Sequence, residues 1–64
     1  MKESDIVYEI GAFWVAREQA SGRYVVFENG LCFATSDSAY PLTTDGLSIA
    51  KARADYLAKR KQGR

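Results

Sequence analysis

Few residues in this 64-residue chain could carry chemistry. The chain has no histidine, and its one cysteine, Cys32, lies in an apolar stretch with no basic residue beside it. A reactive thiolate needs an exposed, electropositive environment, so we expect Cys32 to be a buried and inert thiol. No group of Cys and His residues has the spacing of a zinc site. The sequence therefore predicts no metal and no cofactor.

Carboxylates are the remaining candidates for catalysis. Glu9, Glu18 and Glu28 could in principle pair for acid–base work or bind a metal ion, but we interpret them as solvated strand residues. The five glycines mark turns and boundaries, and none of them belongs to a glycine-rich phosphate loop. We therefore predict that the protein is not an enzyme.

Charge divides the chain into two parts. Up to Gly46 there are seven acidic and three basic residues, whereas from Leu47 onward there are six basic residues and one acidic. A basic patch is the electrostatic footprint of nucleic-acid binding. A simpler interpretation is that these cations complement the dipole at the end of a helix. The candidate nucleic-acid-binding residues are Arg53, Lys59, Arg60 and Lys61.

The chain lacks targeting signals that we recognise. Its first five residues mix Lys2 with two acidic residues and precede no apolar leader segment. No apolar run approaches the roughly 18 residues of a membrane-spanning helix. We expect a cytoplasmic protein with no membrane association.

The apolar residues predict one small α+β domain over residues 1–64. Aromatic and β-branched runs flank Ser21-Gly22, and a third run follows Asn29-Gly30, a dipeptide typical of a two-residue type I′ hairpin turn. We predict a three-stranded antiparallel meander, or a four-stranded one if the first run breaks at Gly11. The predicted strands span residues 6–18, 23–28 and 31–35.

A C-terminal helix follows a polar connector over residues 35–44. Thr44 or Asp45 is the expected N-cap, and the helix is predicted over residues 46–62. Helical spacing places five small or apolar residues on one face, which we expect to pack on the sheet. These residues are Leu47, Ala50, Ala54, Leu57 and Ala58.

Strand register decides which side of the sheet the helix covers. A four-residue loop over residues 19–22 pairs Glu18 with Arg23 and Trp14 with Phe27, whereas a three-residue loop would reverse the faces of the first strand. In the preferred register both sheet faces are largely apolar, and we expect the helix to pack on Trp14 and Phe27. The other face is either covered by the N-terminal segment or by residues 40–42, or exposed for a partner.

We predict that this second face binds a partner, because aromatic residues and arginine are frequent interface anchors. A face too large for one helix to cover also predicts a homodimer. The predicted partner-binding residues are Phe13, Val15, Arg17, Tyr24, Val26 and Phe33, flanked by Glu18 and Glu28.

Several short motifs resemble very short accessory proteins of temperate phages and prophages. They are Phe13-Trp14-Val15, Gly22-Arg23-Tyr24-Val25-Val26-Phe27, Asn29-Gly30-Leu31, and Gly46-Leu47 leading into Ala50-Lys51-Ala52-Arg53-Ala54-Asp55. The resemblance implies a β-β-β-α protein in a host bacterial cell that inhibits a host protein or ribonucleoprotein, with anti-CRISPR inhibitors among such proteins.

Three strands followed by one helix also resemble the arm-binding domain of tyrosine integrases and plant DNA-binding domains of the same plan. Those domains insert a sheet rich in Arg and Lys into the major groove, whereas the strands here offer only Arg17 and Arg23. Three hypotheses follow from the sequence: an inhibitor that binds a host complex, a nucleic-acid-binding module that uses the basic helix, and a structural or self-assembling protein.

Overall fold

A computed structural model describes residues 5–62 of the protein, with side chains over residues 5–60. The fold is α+β, an antiparallel four-stranded sheet followed by one helix, as predicted. The strands lie in chain order across the sheet, β1-β2-β3-β4. The elements are β1 (Ile6–Ile10), β2 (Phe13–Glu18), β3 (Arg23–Asn29), β4 (Ala34–Pro41) and α1 (Thr44–Gln62).

Two glycines shape the first two turns. Gly11 has a φ of 59° and breaks the first apolar run into β1 and β2, so the four-stranded alternative is the one that forms. Gly22 has a φ of 68° and closes the turn between β2 and β3. The predicted register is confirmed, because Trp14 lies opposite Phe27 and Glu18 lies opposite Arg23.

The predicted two-residue turn at Asn29-Gly30 is wrong. A type I′ turn needs positive φ at both central residues, and within residues 5–62 only Gly11 and Gly22 have it. Asn29 instead extends β3, since its backbone N–H donates to the carbonyl of Ala12 at 2.8 Å. Residues 30–33 form the connection, in which the Gly30 N–H donates to the Phe33 carbonyl at 3.1 Å.

The strand that follows is therefore residues 34–41 rather than 31–35, and the expected polar connector is β4. Phe27 lies opposite Ser36 rather than Cys32. β4 is the end strand of the described sheet and is mostly exposed, so a polar sequence costs it little. A register shift leaves Asp37 as a bulge between Ser36 and Ser38.

The helix begins at Thr44, two residues earlier than predicted, with Thr43 as its N-cap. The Thr43 hydroxyl accepts a hydrogen bond from the Gly46 N–H at 3.0 Å, and the Thr43 carbonyl accepts one from the Leu47 N–H at 2.9 Å. Gly46 is required by close approach, because a Cβ there would lie 1.9 Å from the Pro41 carbonyl oxygen.

The helix packs on the sheet face opposite to the one we predicted. Its predicted apolar side is confirmed, with Ala50, Ala54 and Ala58 buried against Phe13, Val15 and Val26. Small alanines allow the helix backbone to lie close to the sheet. The expected packing of Trp14 and Phe27 on the helix is wrong.

The full four-stranded sheet explains this reversal. With β1 and β4 in place, the covered face gains apolar and aromatic side chains from Tyr8, Ile10 and Tyr40. The opposite face gains Glu9 and Ser36. Helix packing therefore buries the more apolar of the two faces. We call them the covered face (Phe13, Val15, Tyr24, Val26) and the open face (Trp14, Ala16, Val25, Phe27).

Candidate interaction surfaces

Four of the predicted partner-binding residues belong to the core. Phe13, Val15 and Val26 are at most 3% exposed beneath α1, and Tyr24 is half-buried against the same cluster. A partner could reach them only if the helix moved away. In the structure, the helix occupies the face on which we predicted the binding surface.

The other four predicted residues do not form one surface. Arg17 is exposed on the covered face opposite Tyr24, and Glu28 lies opposite Phe13. Glu18 accepts a hydrogen bond from the Ser21 hydroxyl at 2.6 Å and points to the open face. Phe33 is exposed in the connection between β3 and β4.

A stacked aromatic pair marks the open face. The rings of Trp14 and Phe27 lie with their centroids 4.4 Å apart and their planes at 18°. The indole Nε1–H of Trp14 donates to the side-chain carbonyl of Asn29 at 2.9 Å, which fixes the ring plane. Both rings remain partly exposed, whereas Ala16 and Val25 are almost inaccessible. The accessible apolar area of this face therefore lies at its Trp14–Phe27 end.

The connection after Asn29 carries further exposed apolar side chains. Residues 30–33, which we call the apolar loop, carry Leu31 and Phe33 with relative exposures of 106% and 73%. Cys32 between them is exposed, so the expectation of a buried thiol is wrong. The sequence did not reveal this loop, because an apolar run after Asn-Gly is typical of a returning strand.

The outward side of α1 carries a different group of residues. Residues at intervals of four, three and four positions lie along one side of a helix. In α1 these residues, which we call the helix stripe, are Ile49, Arg53, Tyr56 and Arg60. Tyr56 is 52% exposed, and the guanidinium carbons of Arg53 and Arg60 lie 5.7 and 5.8 Å from its ring centroid.

Arg53 also ties the helix to the sheet edge. Its Nε donates to Asp37 Oδ2 at 2.9 Å and its Nη2 to Oδ1 at 3.4 Å. This hydrogen-bonded pair raises the pKa of Arg53 and lowers the pKa of Asp37 below its usual 3.8. The bulge in β4 positions Asp37 for this contact.

On the other side of the helix, Tyr8 donates its hydroxyl hydrogen to Asp55 Oδ1 at 2.5 Å, and this bond raises the pKa of Tyr8. The Lys51 ammonium lies 5.7 Å from the Tyr8 ring centroid. These contacts hold α1 to β1, so both long edges of the helix are fixed by polar side chains.

Three of the predicted nucleic-acid-binding residues, Lys59, Arg60 and Lys61, lie near the end of α1, and Arg53 lies at its midpoint. Arg53 is the residue paired with Asp37, and Lys59 and Arg60 are exposed. The side chain of Lys61 lies outside the described residues. The structure thus brings Arg53 and Arg60 together around Tyr56, an aromatic residue that we had not assigned to this site.

Within residues 5–62 no group of three or more Cys, Asp or Glu side chains lies close enough to hold a metal ion. An open depression of about 470 Å³ lies beside the turn between β2 and β3, lined by Asp5, Arg17, Glu18, Gln19 and Ala20. Arg17 and the two carboxylates give it mixed charge. In the part of the chain that the structure describes, no helix is both long and apolar enough to cross a membrane.

Comparisons with protein-family models, with curated proteins and with solved structures find no match to this chain. The candidate surfaces therefore rest on their own geometry.

Proposed function

We propose that this protein acts by binding another protein, and that the apolar loop together with the Trp14–Phe27 pair forms the contact surface. The observation that carries the proposal is the exposure of Leu31 and Phe33 in the connection that directly follows β3, the strand that carries Phe27. Two large apolar side chains that project into solvent gain free energy when a partner buries them. Aromatic rings held by a hydrogen bond lose little entropy on binding, so they are efficient anchors.

The surroundings of this surface favour a protein partner. The charged residues that share the open face are Glu9, Glu18 and Arg23, so the face has no cationic excess that would attract phosphate groups. A rim of mixed charge around an apolar centre is the usual composition of a protein–protein interface. The acidic residues would speed association with a basic partner.

The class of partner that we propose is a host protein or ribonucleoprotein complex in the bacterial cytoplasm. In this proposal the protein is a small phage-type inhibitor, and CRISPR-type defence complexes are among its targets. Support comes from the resemblance in its sequence motifs. Basic nucleic-acid channels in such complexes would attract the acidic residues Glu9 and Glu18.

A pair of variants tests the contact surface. Replacing Leu31 and Phe33 with Ala removes the apolar loop side chains, while Ile49→Ala removes an exposed apolar side chain from α1 as the matched control. We expect tagged wild-type protein and Ile49→Ala to capture the same stoichiometric complex from a bacterial lysate, as identified by mass spectrometry. The loop variant should lose it while keeping the same circular dichroism spectrum.

The inhibitor class has a separate test. We expect expression of the protein to restore plaque formation by a phage on a host whose CRISPR system targets that phage. The loop variant should fail to restore it. Equal plaque counts with and without the wild-type protein, across hosts with different CRISPR types, would remove defence complexes from the proposal. Capture by the loop variant would disprove the proposed surface.

A further inference from the structure

The geometry of the helix stripe points to a second binding surface: we infer that the outward side of α1 binds single-stranded nucleic acid. This surface lies on the opposite side of the sheet from the open face. The inference goes beyond the proposed function and does not depend on it. It would allow one small chain to contact both the protein and the nucleic acid of a ribonucleoprotein.

The first observation is the position of Tyr56. Its ring is half exposed, and a guanidinium group lies within 6 Å of it from the helical turn on each side. Unpaired bases stack on tyrosine rings and on guanidinium planes, because both present flat, polarisable surfaces. Arg53, Tyr56 and Arg60 thus form a continuous row of stacking groups about two helical turns long.

The second observation is charge. Lys59 and Arg60 are exposed, three and four residues after Tyr56, and within residues 5–60 the one carboxylate ion pair made by a basic residue of α1 is that of Arg53 with Asp37. Asp55, which precedes Tyr56 in the chain, accepts the hydrogen bond of the Tyr8 hydroxyl on the other side of the helix. The cations of Lys59 and Arg60 therefore remain available to phosphate groups.

The same geometry favours single strands over duplex DNA. Reading a duplex requires side chains that reach base edges in a groove while others grip the flanking backbone. The helix stripe offers an aromatic ring and the aliphatic Ile49 instead, and a ring can stack only on bases that are not already stacked. We therefore expect binding that depends weakly on sequence and strongly on salt.

Fluorescence anisotropy with a labelled 12-residue oligothymidylate tests the inference. We expect binding at low salt that weakens with a logarithmic slope of about −1.4 against salt concentration, since the two available cations, Lys59 and Arg60, contribute roughly 0.7 each. Replacing Lys59 and Arg60 with Gln should lower the magnitude of the slope to below about 1. Tyr56→Leu should weaken binding about tenfold without changing the slope, because it removes stacking and not charge.

Two controls keep the test specific. Ser48→Ala alters an exposed residue of α1 outside the helix stripe and removes neither charge nor an aromatic ring, so its affinity should equal that of the wild type. The double Ala variant of Leu31 and Phe33 should also bind the oligonucleotide normally. Loss of the protein partner with retained oligonucleotide binding would thus separate the two surfaces. Circular dichroism of each variant reports whether the fold is retained.

Three results would overturn the inference. The first is no oligonucleotide binding even at about 20 mM salt, where electrostatic contacts are strongest. The second is equal affinity for a 12-base-pair duplex and for the single strand, with no effect of Tyr56→Leu, which would show a general cation effect. The third is full competition by polyglutamate for the oligonucleotide site, with polyglutamate binding weakened by Tyr56→Leu as much as oligonucleotide binding is. That result would indicate that the helix stripe binds an acidic protein.

Discussion

On the central strands β2 and β3, the two faces of the sheet carry two aromatic residues each but differ in what covers them. The covered face contributes Phe13, Val15 and Val26 to a core sealed by three alanines of α1. The open face keeps Trp14 and Phe27 as a stacked, partly exposed pair that no helix covers. The apolar content of the central strands alone therefore does not determine which face a single helix covers; the side chains supplied by the edge strands also decide it.

Truncation of a covered aromatic residue should have the largest effect. We expect Phe13→Ala to lower the free energy of unfolding by about 3–5 kcal/mol, because it removes a buried ring and leaves a cavity beneath α1. A domain of this size has only about 3–10 kcal/mol of stability, so the variant should be largely unfolded at 37 °C. Thermal unfolding followed by circular dichroism measures this. A cooperative transition near that of the wild type would show that the faces are assigned wrongly.

Truncation on the open face should cost less. Phe27→Ala removes a half-exposed ring and its stacking with Trp14, for an expected loss of about 2 kcal/mol. The variant should therefore fold, with an earlier urea midpoint. Phe13→Ala, measured in the same way, is the control. If both variants lost the same free energy of unfolding, the distinction between the two faces would be wrong.

Association should follow from the exposed apolar loop. We expect the apparent mass in sedimentation equilibrium to rise above 7.1 kDa as concentration increases, because a second copy can bury Leu31 and Phe33. The double Ala variant at these two positions should remain at the monomer mass. A wild-type protein that stays monomeric at millimolar concentration would show that the loop does not drive self-association.

The smallest predicted effect is on the acid side of the pH dependence. Folding lowers the pKa of Asp37 from 3.8, so the unfolded chain binds more protons at low pH than the folded protein does. The resulting stabilisation is present above pH 3.8 and is lost as the pH falls through the pKa of Asp37 in the folded protein. The loss should be small, because the Arg53–Asp37 pair is partly exposed and screened by water. Urea midpoints at pH 6 and pH 3 should differ less in Asp37→Asn than in the wild type.

The sequence was informative where local patterns and tertiary structure agree. Alanine spacing identified the buried side of α1, and charge pairing fixed the register of β2 and β3. It failed at β4, because a polar edge strand has no hydrophobic periodicity to distinguish it from a connector. Because we did not predict β4, we placed a two-residue turn at Asn29-Gly30 and assigned the helix to the wrong face of the sheet.

The binding surfaces were predictable only in part. Arg53 and Arg60 were singled out by charge, and helical spacing alone places Tyr56 between them, but the exposure of its ring depends on how the helix is rotated on the sheet. Phe33 was predicted as a partner-binding residue and is exposed, although its strand assignment was wrong. Its exposure follows from the geometry of a four-residue connection, which composition alone does not define.

The exposed thiol of Cys32 has a practical consequence for anyone who handles this protein. It is the one cysteine of the chain and lies in the apolar loop, so a maleimide dye will label the protein at a single position without mutagenesis. The same chemistry is a hazard in air, because two thiolates on neighbouring copies can oxidise to an intermolecular disulfide. Such a covalent pair would bring two loops together and hide them from a partner, so preparations need a reductant or the Cys32→Ser variant.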